Sequence, residues 1–352
     1  MFVFEGDDTP VPNDMEQTFM KESKNKDALN EYLAKKLVEL HKGTQLLVAT
    51  LKDTVICSFD SEPLEQSDIS ITKCQSEEAD QRIVRHVLHI IDNYDEVKWI
   101  VVNTIDTDVL ILLISFVGRR DNNDNVQVYA YLTASRKYYN INDIAKKLGK
   151  DVCMALLFFY CLSGCDTVSS LTGKGKCKAW DTWFNSEYKD EFTRVFKELG
   201  DQPEVVTVEQ MEKIEQFIFL LYGVSEGSLA AHRLNKFQKS TDDDVRKLPP
   251  SREALSQHVK RSCYQAGYLW QESLSDLSLP EPTEWGWTYD AINGYIPLWL
   301  SAFSSVDLEK FITTCTCITA KCKQCKCAKS ELACIRMCRC DRKCEEETEA
   351  SK

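Results

Sequence analysis

Residues 98–113 read Lys98-Trp99-Ile100-Val101-Val102-Asn103-Thr104-Ile105-Asp106-Thr107-Asp108-Val109-Leu110-Ile111-Leu112-Leu113, and this stretch sets the fold class. The run 98–103 is short, apolar and rich in β-branched residues, the mark of a buried strand. Asp106 starts a helix, and Val109, Leu110 and Leu113 follow at helical spacing. A buried strand that runs straight into a helix is the building unit of an α/β domain.

The same alternation extends on both sides. Upstream, Ser76-Glu77-Glu78-Ala79 offers a capping serine, and Ile83, Val84, Val87, Leu88 and Ile91 form one helical face. Residues 45–50 and 54–58 predict two strands, and 61–74 a polar loop. Residues 26–41 predict a helix with Leu29, Tyr32, Leu33, Leu37 and Leu40 along one stripe, and 2–4 a short strand. Downstream, 126–132 predicts a strand and Ile141 begins another helix. The expected fold class is α/β, with a mainly parallel sheet flanked by helices. Residues 153–270 predict only helices, broken at Gly173-Lys174-Gly175 and at Leu248-Pro249-Pro250. Residues 274–300, rich in Pro, Trp and Gly, predict an ordered but irregular connector.

Composition narrows the class of protein. Apolar residues are 43% and charged residues 28% of 352, as in soluble globular chains. The start, Met1-Phe2-Val3-Phe4-Glu5-Gly6-Asp7-Asp8, has no basic segment, so no signal peptide is expected. The longest apolar run, 152–162, is too short to span a bilayer. The expected setting is nuclear or otherwise cytoplasmic, with reduced thiols and no membrane contact. Of 16 cysteines, Cys57, Cys74, Cys153, Cys161, Cys165, Cys177 and Cys263 are scattered, mostly in apolar runs, and read as small buried hydrophobes. The other nine crowd between Cys315 and Cys344, where side chains other than cysteine carry a formal +6, against −12 for the whole chain. An acidic body with a basic tail places any electrostatic hold on nucleic acid in the tail.

Five carboxylates stand at element ends: Glu78 and Asp80 in a first helical turn, Asp106 and Asp108 after the strand 99–103, and Asp166 in Ser163-Gly164-Cys165-Asp166. Loops at the carboxyl ends of strands in an open α/β sheet converge on one crevice. Carboxylates held close repel unless a cation neutralises them, and oxygen donors without histidine favour Mg²⁺ or Mn²⁺. Two such ions about 4 Å apart activate water and stabilise the leaving oxygen in phosphodiester hydrolysis. The competing reading is that acidic residues at helix N-termini are favoured by the macrodipole alone.

Glu78-Ala79-Asp80, Thr104-Ile105-Asp106-Thr107-Asp108, Gly164-Cys165-Asp166 and Leu171-Thr172-Gly173-Lys174-Gly175 come in the order of a known set. This order resembles the nuclease region of flap endonucleases and their PIN-like relatives. Val3-Phe4-Glu5-Gly6 is similar to that family's strand ending Val-Phe-Asp-Gly. The resemblance implies a PIN-like fold over 1–185, with metal carboxylates at Glu5, Glu78, Asp80, Asp106, Asp108 and Asp166. It also implies a helix-hairpin-helix in which Gly173, Lys174, Gly175, Lys176 and Lys178 meet a DNA backbone. The family's first aspartate and its helical arch have no counterpart here, which fits an N-terminally incomplete domain or one that has lost activity. The glycine pair also reads simply as the end of one helix and the start of the next.

The tail runs Cys315-x-Cys317-x4-Cys322-x2-Cys325-x-Cys327-x6-Cys334-x3-Cys338-x-Cys340-x3-Cys344. A structural zinc takes four thiolates, and nine sulfurs serve three zincs if three of them bridge. With almost no apolar core, such a segment draws its folding energy from metal. The tail resembles the CXC domain of tesmin and TSO1-like proteins, which folds on three zincs and binds DNA. Gln324 replaces that family's aromatic residue, and Cys322-x2-Cys325 is shorter than its usual spacing. Loaded with three zincs, the tail keeps about +3. A metallothionein-like metal store is the other reading.

Leu248-Pro249-Pro250-Ser251, Trp285-Gly286-Trp287 and Ile296-Pro297-Leu298-Trp299 are similar to segments of multicopy animal proteins that join a PIN-like domain to a CXC-type tail. The expected layout is a PIN-like domain 1–185, a helical extension 186–273, a connector 274–308 and a zinc domain 309–345. The expected function is Mg²⁺- or Mn²⁺-dependent nucleic-acid cleavage, on DNA first of all, with the zinc tail as tether. The alternative is a decayed nuclease fold, of mobile-element origin, that binds DNA or scaffolds other proteins.

Overall fold

The computed structural model describes residues 19–20, 23–42, 47–50, 55–59, 62–64, 79–120, 126–224, 229, 231–233, 236, 247–274, 277–300, 315–316, 326–329 and 338–339. The strand expected at 2–4 lies outside them. The chain divides into two compact units, 1–154 with 268–279, and 155–267 with 280–352. Among the described residues no helix is long and apolar enough to cross a membrane.

The first unit is mixed α/β. It contains α1 (Ser23–Leu40), β1 (Leu47–Thr50), β2 (Val55–Phe59), β3 (Glu62–Leu64), α2 (Ala79–Asn93), β4 (Trp99–Thr104), α3 (Thr107–Arg119), β5 (Gln127–Leu132), β6 (Lys137–Asn140), α4 (Ile141–Leu148) and the start of α5 (Lys150–Leu162). β4 and β5 are parallel, in register from Trp99 opposite Gln127 to Thr104 opposite Leu132. β6 then returns antiparallel on β5. The described sheets are thus mixed rather than mainly parallel. β1, β2 and β3 form a separate antiparallel sheet instead of joining β4. Connection length explains both differences, since a parallel return needs a crossover of about a dozen residues. Only 51–54 separate β1 from β2, and only 133–136 separate β5 from β6. The polar stretch 61–74, expected as a loop, contributes β3.

Alternation along the strands fixes the core. Val128, Ala130 and Leu132 of β5 point inward, as do Val102 and Thr104 of β4. The other face of β4 is open, with Trp99 71% and Val101 53% exposed, so this apolar run is buried on one side only. In α2, Val84, Val87, Leu88 and Ile91 are buried as expected, while Ile83 is half-buried. The expected stripe of α1 is not core, because Leu33, Leu37 and Leu40 are exposed. α3, α4 and α5 meet closely at Gly118. A Cβ there would lie 2.5 Å from Cys153 Sγ and 3.1 Å from Ala145 Cβ.

Among its described residues the second unit is helical, as the sequence predicts, apart from one hairpin. It holds the rest of α5, then α6 (Lys176–Phe184), α7 (Lys189–Leu199), α8 (Val208–Tyr222) and α9 (Arg252–Tyr264). Its α5 residues 155–162 are buried on every side, which is what a helix without a polar face requires. Phe158 and Phe159 lie against Trp183 and Phe196, and Phe196 against Phe217. The polar end of Trp183 is satisfied: Nε1 donates to Thr193 Oγ1 at 3.0 Å, and that hydroxyl donates to Lys189 O at 2.8 Å. Two helix starts are capped by side chains, with a capping box at Thr207 and Gln210 and a serine cap at Ser251. The connector forms a hairpin, β7 (Trp287–Asp290) with β8 (Gly294–Pro297). Trp285 is buried and Gly286 sits close over Gln257 of α9, so this part packs on a helix, while Trp299 is 76% exposed.

His258 ties α9 to the end of α5. It is buried, its Nε2 lies 2.9 Å from Leu162 O, and its Nδ1 lies 3.4 Å from Ser169 Oγ. The carbonyl can only accept, so Nε2 carries the proton and Nδ1 accepts from the serine. Burial holds the imidazole down to about 4 from its ordinary 6.5, against the opposing pull of the Leu162 carbonyl. The unfolded chain takes up this proton near pH 6.5 and the folded chain only near 4. The stabilisation is therefore complete above pH 6.5 and falls as the pH drops through that window. Denaturation midpoints of the full chain should fall between pH 7 and pH 4.5 by an amount on the order of 3 kcal/mol in stability. His258→Gln should flatten that dependence; an unchanged slope in the variant would assign it to other groups.

Candidate metal centre and the carboxylate positions

β4 ends and α3 begins through a short chain of local bonds. The Asp106 N–H donates to Thr104 Oγ1 at 3.0 Å, and the Asp108 N–H donates to Asp106 Oδ1 at 2.8 Å. Asp106 has extended backbone angles and is the N-cap of α3, with Asp108 in the first turn. Asp80 occupies the first turn of α2. All three are half-buried. One oxygen of Asp106 is therefore engaged in capping, and the positions of Asp80 and Asp108 suit the helix macrodipole without any ligand.

Asp166 belongs to the second unit and is exposed, in a tight turn where Cys165 and Val168 exchange backbone hydrogen bonds. Glu5 and Glu78 lie outside the described residues. Among the described residues, no carboxylate belongs to a group of three or more metal-ligand side chains with closely gathered donor atoms. A cleft of about 370 Å³ in the first unit is lined by Val117, Gly118 and Arg120 together with β5 and α4 residues. It opens at the C-terminal end of α3, whose 13 residues place it roughly 20 Å from the Asp106 cap.

The loop around Gly173 divides the expected phosphate contacts. Gly173 takes the left-handed conformation, Lys174 N–H closes a turn on Leu171 O, and Gly175 is the N-cap of α6. α5 has already ended at Leu162, so Gly173 does not terminate a helix. Lys176 is turned inward: its Nζ donates to Gly164 O and sits 3.9 Å from the ring centre of Tyr160. It holds the start of α6 to the Gly164 loop and is half-buried there. Lys174 and Lys178 remain at the surface side of the turn.

The cysteine tail supplies the metal-ligand group that the described residues do contain. Cys315, Cys327 and Cys338 are buried, and their sulfurs all lie within 4.8 Å of one another. Cys327 sits in a helical turn, Lys326–Lys329. The Cys327 and Cys338 sulfurs are 3.6 Å apart, far beyond a disulfide bond and close to the ~3.8 Å edge of a tetrahedral zinc–thiolate site. The backbone fastens the other side: Arg339 N–H donates to Cys315 O at 2.9 Å, and Cys315 N–H points at Cys338 Sγ at 3.4 Å. Three buried sulfurs gathered this closely fit a thiophilic cation. Cys317, Cys322, Cys325, Cys334, Cys340 and Cys344 lie outside the described residues.

Two scattered cysteines differ from their reading as buried hydrophobes. Cys177 is exposed, and Cys165 is half-buried. A hydrogen bond from Cys161, joined by bonds to Thr167 and Val168, lowers the Cys165 thiol to about 6 despite its burial. Its neighbour Gly164 explains the spacing. With φ at +106°, its Cβ would stand 2.6 Å from that of Ser170. Comparison with protein-family models, curated proteins and solved structures finds no match to this chain.

The capping role of Asp106 has a measurable consequence. Asp106→Ala should destabilise the chain by about 1 kcal/mol, whereas Asp106→Asn, which keeps a capping oxygen, should cost only a few tenths. Equal losses in both variants would show that the negative charge, and not the cap, is what α3 needs.

Proposed function

We propose that this chain is a zinc-dependent nucleic-acid-binding protein. The observation that carries the reading is the gathering of Cys315, Cys327 and Cys338 in a basic tail attached to an acidic body. In this reading the nine tail cysteines hold about three zincs, as the CXC resemblance implies. The loaded tail stays mildly positive and contacts phosphates, with DNA as the favoured partner. The metal supplies folding energy here, and the chain's own residues supply the charge: Lys321, Lys323, Arg336, Arg339 and Arg342 lie between the ligands. Mass spectrometry of the full chain should find about three zincs. Chelation should abolish its binding to duplex DNA, and Cys327→Ser should lower both zinc content and affinity. DNA binding that survives complete zinc removal would sink the proposal.

A second reading rests on the placement of Asp106 and Asp108 beyond the C-terminal end of β4, a strand paired in parallel. That is where an open α/β sheet carries its chemistry. Under the PIN-like resemblance these residues, with Asp80, Asp166, Glu78 and Glu5, are the ligands of Mg²⁺ or Mn²⁺ in a phosphodiesterase. Asp106→Asn separates charge from cap. It should eliminate Mg²⁺-dependent cleavage of DNA while leaving DNA binding and the folded state intact. Cleavage that continues in this variant, or no cleavage by the wild-type chain, leaves the binding protein on a decayed fold.

A further inference from the structure

The C-terminal end of α8 carries an unusual gathering of cations. Lys174 Nζ lies 4.6 Å and Lys236 Nζ 5.1 Å from the ring centre of one tyrosine, Tyr222, which is itself buried. Lys178 adjoins Lys174, and the Arg233 guanidinium, donating to Pro249 O, lies near the phenol. His232 is within electrostatic reach of both Lys174 and Lys236, and its Nε2 has no hydrogen-bond partner among the described residues. None of Lys174, Lys178, His232 and Lys236 has a carboxylate partner among the described residues. Isolated surface lysines spread apart into water. These converge from two distant stretches of chain, 174–178 and 232–236, upon one aromatic floor.

We propose that Lys174 and Lys236 over Tyr222, with Lys178 and His232 close to them, form a binding site for a phosphate group. The two ammonium groups over the ring supply point charges from different directions, which suits a tetrahedral oxyanion better than a planar carboxylate. His232, within electrostatic reach of both lysines, adds an imidazole N–H able to donate to such an anion. The ring of Tyr222 holds the cations in place through cation–π attraction and leaves their outer faces free. Burial first, and then Lys178 and Lys236, lower the Lys174 ammonium to about 8, the direction expected of like charges collected without their counter-ion. An anion in the site reverses that repulsion, so folding and binding are linked.

The site needs neither the zinc tail nor the carboxylates, so its test is separate from theirs. The full chain is melted in inorganic phosphate and in sodium chloride of matched ionic strength. Phosphate should raise the melting temperature saturably, by about 3 °C at roughly ten times its Kd. Lys174→Met with Lys236→Met should abolish that rise, and in chloride the doubly substituted chain should melt no lower than the wild type, since a repulsion has been removed. A short oligonucleotide with a 5′-phosphate is compared with its 5′-hydroxyl counterpart. A rise given only by the phosphorylated strand assigns the site to a terminal phosphomonoester. A rise given by inorganic phosphate alone assigns it to the free ion. Oligonucleotide binding that is unchanged by the two substitutions belongs to the tail. No phosphate-specific rise in the wild-type chain, or a rise that persists in the doubly substituted chain, overturns the proposal.

Discussion

A helix without a polar face cannot sit at a surface, and residues 155–162 of α5 impose that condition on the second unit. Each of them needs apolar neighbours, and the chain supplies them with aromatic rings: Trp180, Trp183 and Phe184 of α6, Phe192 and Phe196 of α7, and Phe217 of α8. Once these helices are committed to surrounding α5, the loops between them are fixed in place. The Gly164 loop, the turn at Gly173 and the end of α8 at Tyr222 owe their positions to this packing. The polar bonds inside it, Trp183 to Thr193 and His258 to Leu162, specify orientation, because a misplaced ring would leave a buried donor unpaired.

Periodicity made the helices and the β4–α3 unit legible, since both depend on burial patterns that are local in sequence. Val84, Val87, Leu88 and Ile91 announce one face of α2, and Val128, Ala130 and Leu132 announce one face of β5. Sheet membership was not legible in the same way. An apolar strand such as β1 reads alike whether it joins a parallel sheet or folds back as a hairpin, and only the short separation from β2 distinguishes the two. The exposed side of β4 and the open stripe of α1 were hidden for a related reason. Hydrophobic pattern reports what a segment is able to bury, and it says nothing of whether a partner is present.

The candidate sites divide along the same line. The cysteine trio could be read from composition and spacing, because thiolates this dense at metal-ligand spacing have few physical uses other than holding a cation. The carboxylates could not be settled by pattern, since an aspartate that begins a helix and an aspartate that awaits a cation occupy the same sequence position. Asp106 has an oxygen 2.8 Å from the Asp108 amide and so performs the first task whatever else it does. Of the cations around Tyr222, Lys174 and Lys178 stood out through the resemblance of the glycine turn, whereas nothing marked His232 or Lys236. Lys174 and Lys236 are separated by more than 60 residues, and nothing in either neighbourhood marks them as partners.

The glycine of Ser163-Gly164-Cys165-Asp166 shows how much a short motif records. Its φ of +106° and the nearness of Ser170 exclude any side chain, so the residue is held by the shape of the loop. The aspartate two places on is exposed and carries no such constraint. A Gly-x-Asp triplet therefore joins two residues held by different forces, the first by the geometry of the turn and the second by whatever solvent or solute meets it. Presence of the glycine reports the shape of the loop and says nothing of chemistry at its neighbour.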